Sequence, residues 1–173
     1  MMTNDQRDLL RHFLAALAYR TQKAVRGAEA GFGDFSAGAE VRTPKELVRH
    51  MTSVLGYART YFVGGQYRPA VLATFQDEIE RFHQMLESLS AHIGKDDPLL
   101  EQTTCEQLLQ GPLSDAMTHV GQLAMLRRLA GIPVPPENFI VANIDAERLG
   151  TDQPSPVSPD KEWPEAPANW SPP

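Results

Sequence analysis

Helical periodicity constrains this chain more than any other feature. Four stretches repeat apolar residues at intervals of three and four, glycine and proline separate them, and no run alternates apolar with polar residues as a half-buried strand would. The expectation is an all-α four-helix bundle, because a helix with one apolar stripe must bury it against other helices. A chain of 173 residues can bury a sizeable core as a single domain, so any metal it holds serves chemistry rather than folding.

The punctuation places the helices. The first is expected over residues 4–26, capped by Asn4 and stopped at Gly27, with Leu9, Leu10, Phe13, Leu14, Leu17, Ala18, Ala24 and Val25 in its stripe. Residues 27–42 hold four glycines and no apolar period, which reads as a long loop anchored by Phe32 and Phe35. Thr43, Pro44 and Glu46 then form a capping box with proline at the first helical position, and Leu47, Met51, Val54, Leu55, Ala58 and Phe62 follow as a buried stripe. Gly64 and Gly65 break this helix. Pro69 is expected near the head of the third, whose apolar period runs from Val71 to Ile93 and leaves His83 and His92 on the solvated side. Thr104 caps a short helix, residues 105–110, that ends at Gly111 and Pro112. The last helix, residues 113–131, has Ser114 as its cap, Arg127 and Arg128 against the negative end of its dipole, and Gly131 as its stop.

Charge and composition exclude several function classes. The net charge is −6, and the one basic pair adjacent in sequence, Arg127 with Arg128, does not make a nucleic-acid or anionic-membrane surface. No apolar run approaches the roughly 20 residues that cross a bilayer, and the start has neither the basic lead nor the apolar run of a signal peptide, so a cytoplasmic protein is expected. The lone Cys105 has no basic neighbour and follows as a small structural residue. Seven of the fourteen prolines lie in the last twenty residues, so residues 1–150 are read as the bundle domain and 151–173 as an extended Pro-rich tail with Trp163 and Trp170 as its large apolar groups.

One polar constellation points to chemistry. Asp115 and His119 are four apart on the last helix and share with Gln122, Leu126 and Leu129 a face expected to point into the core, while His50 lies on the apolar stripe of the second. Bundles build metal sites from facing helices. Two imidazoles and one carboxylate suit a divalent first-row ion, zinc or nickel ahead of iron or manganese, with positions left open for water or substrate. Gln122, one turn from His119, is placed to orient a ligand. Taken singly, these residues have plainer readings: His50 as a core histidine bonded to a carbonyl, Tyr57 or Tyr61, and Asp115 as half of a salt bridge with an arginine such as Arg49.

The segments TPKELVRHM (43–51) and THVGQLAMLRRLAGIPV (118–134) resemble the DinB-like (damage-inducible) superfamily of four-helix metalloproteins. That family carries one histidine on its second helix and an H-x-x-x-H pair, commonly followed by Gly-Gln, on its last. His50 and His119 match the first and last of these ligands, Gly121 and Gln122 match the dipeptide, and Asp115 stands where the middle histidine usually does. ENFIVANI (137–144) also resembles the stretch after the bundle in some members. The resemblance implies a metal-dependent enzyme acting on a small molecule, with thiol transfer from a low-molecular-weight bacterial thiol such as bacillithiol or mycothiol as one activity among isomerases and hydrolases. It also implies a homodimer. The competing reading is a non-catalytic metal-binding or stress-related binding protein.

Overall fold

The computed structural model describes residues 2–95, 97–100 and 103–158, and it is all-helical, with no strand among the described residues. Four long helices, α1 (Asn4–Val25), α2 (Pro44–Val63), α3 (Phe75–Gly94) and α5 (Ser114–Leu129), are joined by loops and by the one-turn α4 (Cys105–Leu108). α1 and α2 each pack against both α3 and α5, so the order around the core is α1, α3, α2, α5. Consecutive helices α1 and α2 therefore sit across the core from one another. The long connection between them is the crossover such an order requires.

Threonine starts four of the helices. Thr3, Thr43, Thr74 and Thr104 each accept from the backbone N–H three residues on, and Gln6, Glu46, Asp77 and Gln107 each reach back to the threonine N–H. Each reciprocal pair satisfies two donors that a helix end otherwise leaves unpaired. The cap of α1 is thus Thr3 rather than Asn4. α3 starts at Phe75, past Pro69: Val71 is 69% exposed, and the carboxylate of Glu78 accepts from the Leu72 N–H to hold the preceding loop. Ser114 is not a cap either. A π-helical turn over Leu109–Leu113, with a non-helical residue at Gly111, feeds directly into α5, and the Ser114 hydroxyl donates back to the Leu109 carbonyl at 2.6 Å.

Leu14, Leu17, Met51, Leu55, Phe82, Leu86, Leu89 and Leu123 fill the centre. Fully burying such side chains contributes about 1.5–3 kcal/mol each. The crossover is pinned from inside by Phe32, buried and edge-to-face with Phe75 at 5.9 Å, while Phe35 packs half-buried beside it. Gly33 permits this contact, since a Cβ there would come within 2.5 Å of the Phe75 Cβ.

Residues 132–158 run back over α1 and α3. Lys23 donates to the Pro135 carbonyl at 2.7 Å, Tyr19 donates to the buried Glu137 carboxylate at 2.5 Å, and the Arg20 guanidinium lies 4.0 Å over the Phe139 ring. Arg26 donates to the Gln153 and Pro154 carbonyls. His83 corrects its sequence assignment: it is 2% exposed, with Nδ1 2.6 Å from the Leu149 carbonyl and Nε2 2.9 Å from Gln22 Nε2. The returning segment covers what is otherwise an open face of α3. His92 is half-buried, stacked on Phe62 and paired with Asp97 at 2.7 Å. Trp163 and Trp170 lie outside the described residues.

Candidate metal centre

The adjacency of α2 and α5 brings His50, Asp115 and His119 together, with one ligand atom from each lying within 4.8 Å of the others. The rings of His50 and His119 meet edge to face, 4.7 Å between centroids and 76° between planes. The capping box sets where α2 begins and so which residue faces α5 at this level. Glu46, one turn before His50, spends its carboxylate on that box, where Oε2 accepts from the Thr43 N–H at 2.9 Å.

The inward face of α5 is Ala116, His119, Val120, Leu123, Leu126 and Arg127, turned by about one residue from the expected stripe. His119 is buried, whereas Asp115 and Gln122 are exposed on one edge of that face and Leu129 is in solvent. Asp115 therefore stands at the mouth of the cluster. Among the described residues it forms no ion pair with an arginine, and His50 is half-buried at the rim, while the Tyr57 and Tyr61 hydroxyls bond each other.

The proton positions follow from the partners. Gln122 Oε1 lies 2.8 Å from His119 Nδ1, so Nδ1 donates to it, and in the neutral imidazole the lone pair is then on Nε2. That Nε2 is buried and has no hydrogen-bond partner, although Asp115 Oδ1 is 3.3 Å away. A lone pair facing a carboxylate oxygen is unfavourable unless a cation or proton lies between them. The spacing suits an ion: two donors each about 2.0–2.1 Å from a tetrahedral centre are about 3.3 Å apart. Burial, then Arg42 and His119, hold the His50 pKa below the usual histidine value, against the opposing pull of Asp115. A neutral imidazole is the form that ligates. The donor set and the orphaned nitrogen both fit a divalent ion.

The remaining groups do not compete for this role. Cys105 is buried, and burial followed by the neighbouring Glu106 pushes its thiol up, away from the reactive thiolate. His12 is exposed, on α1. Arg127, read from sequence as a helix-end cation, is buried and donates to Ile132, Ala24, Val25 and Arg26 carbonyls, tying the end of α5 to the end of α1. Sequence reading missed a second group, Arg42, Arg49 and Arg68, which line one cavity of about 470 Å³ beside His50. Their separation along the chain hides them, and only the folded α2 with its flanking loops brings them together.

Comparison with protein families, with curated proteins and with solved structures returns no match. No helix among the described residues is long and apolar enough to cross a membrane.

Proposed function

We propose that the protein is a divalent-metal-dependent enzyme of DinB-like type acting on a small molecule, with transfer of a low-molecular-weight thiol as its reaction. The observation that carries this reading is the buried Nε2 of His119, which makes no hydrogen bond and is held 3.3 Å from the Asp115 carboxylate and beside His50. His50, Asp115 and His119 would hold the ion, and Gln122 fixes the His119 tautomer that ligates. Three protein ligands leave positions open, and a bound ion supplies a lowered pKa for a coordinated thiol or water. The exposed position of Asp115 puts that open side toward solvent and the cavities beside it, where a substrate can enter. Zinc or nickel suits two imidazoles and a carboxylate, and replacing a histidine by Asp115 makes the site more negative than the resemblance implies. Pairing into a homodimer belongs to the same reading.

The test is elemental mass spectrometry on protein purified without a histidine tag, alongside His50→Ala, Asp115→Ala and His119→Ala. Near-stoichiometric metal, lost in each variant that stays folded by circular dichroism, is the expected result, and thiol consumption with an electrophilic co-substrate should require that metal. Absence of metal after purification and after incubation with zinc and nickel would refute the proposal.

A further inference from the structure

The cluster lies between two cavities of different chemistry. On the Asp115 side, a cavity of about 660 Å³ is lined by Ser53, Val54, Tyr57, Ser114, Asp115 and Thr118 among others, with no lysine or arginine among the described residues that line it. On the His50 side, Arg42, Arg49 and Arg68 share the cavity of about 470 Å³ with His50 and Ser53. Three arginines lining one cavity stand out on a chain whose net charge is −6. None of the three makes a salt bridge or side-chain hydrogen bond with another group among the described residues.

Two carboxylates also line the space. Glu46 is committed to its helix cap, and its carboxyl is held below the usual range first by the Thr43 backbone hydrogen bond and last by the charges of Arg49 and Arg42. Glu40 sits on the exposed loop and is the one non-glycine among the described residues with positive φ, at 64°. The balance remains cationic, and guanidinium groups present the forked donors that match an oxyanion.

We propose that this cavity is the anion subsite of the substrate. The substrate class is a small molecule with a carboxylate or phosphate group, held by Arg42, Arg49 and Arg68, whose reacting end extends past His50 to the His119 cluster. The anion half of the proposal stands on the cavity alone; the extension to the cluster rests on the metal-dependent reading above. A cleft lined by one sign of charge also raises the local concentration of the oppositely charged substrate.

Isothermal titration calorimetry on chelator-treated, metal-free protein tests the subsite separately from the metal. Succinate and inorganic phosphate are titrated into the wild type and into Arg42→Ala, Arg49→Lys and Arg68→Ala. Arg148→Ala, at an exposed position away from the cavity, controls for loss of one positive charge. At least one anion should bind the wild type, at least tenfold more weakly in each cavity variant and within twofold of wild type in the control. Binding of succinate alone assigns a carboxylate, binding of phosphate alone a phosphoryl group, and binding of both a general oxyanion site. Failure of both anions to bind, or equal weakening in the control, would overturn the proposal. Binding without any metal uptake in the preceding experiment would keep the subsite and remove the metal reading.

Discussion

Gln122→Leu isolates the contribution of one hydrogen bond to the candidate metal centre. The side chain is exposed and touches the cluster through its 2.8 Å contact with His119 Nδ1, so its removal frees the imidazole to rotate and to adopt the tautomer that protonates Nε2. Losing such an outer partner typically costs about 10–100-fold in metal affinity. Water can reach Nδ1 once an exposed amide is gone, which places the loss near the lower bound, about tenfold or about 1.4 kcal/mol. Stability of the metal-free protein should change by less than about 0.5 kcal/mol, as expected for a surface position away from the core. Gln122→Glu keeps the acceptor and should bind metal at least as tightly as the wild type. Competition with a chromophoric zinc chelator measures the affinities, and urea unfolding of the metal-free proteins measures stability. Zinc affinity of Gln122→Leu within twofold of wild type would refute the tautomer argument, as would a loss of metal-free stability as large as the loss of affinity.

Two further predictions concern the frame around the site. Arg127→Met removes a buried guanidinium that donates to the Ile132 carbonyl at 2.9 Å and to the Arg26 carbonyl at 3.1 Å, and it leaves those acceptors without that donor. Charge-assisted hydrogen bonds of about 1.5–3 kcal/mol each, partly offset by the apolar replacement, give a loss of about 3 kcal/mol. In a chain of this size that lowers Tm by about 6–12 °C, and a calorimetric shift under about 2 °C would contradict the assignment. His83 gives a pH dependence. Burial holds its pKa below the ordinary value despite the Leu149 carbonyl, so between the two values the unfolded chain binds more protons and stability rises with pH. Stability should therefore fall on acidification below about pH 6.5. His83→Gln should flatten that slope in urea melts taken at pH 5, 6 and 7; an unchanged slope would remove His83 as its source.

Local signals were legible in the sequence, and long-range partners were not. The capping box at Thr43 and Glu46 identified the start of α2, and with it the position of His50, because both halves of the box lie within one turn. The same logic was available at Thr74 and Asp77, but the apolar Val71 and Leu72 extend the helical period backward and obscure it. His50, Asp115 and His119 could be grouped from helix faces alone. The exact face of α5 could not, since its apolar residues surround it too evenly to mark one stripe, and Asp115 was placed a step too far inward. His83 was misplaced because both partners that bury it, Gln22 and Leu149, lie more than sixty residues away. The arginine-lined cavity is of the same kind, assembled from a loop, a helix face and a second loop.

The order of the helices around the core has a consequence for how the protein assembles. α2 and α3 pack together across a short connection, so their contact closes a small loop and can form early. The α2–α5 seam joins segments far apart along the chain and must close against the remaining loop entropy. Because His50 lies on one side of that seam and Asp115 with His119 on the other, an ion shared among them would bind only chains in which the seam has shut. At a hundredfold excess over its Kd such an ion adds about 2.7 kcal/mol to the closed form. Metal supply would then act on the lifetime of the folded chain, as a clasp fastened after the helices have come together.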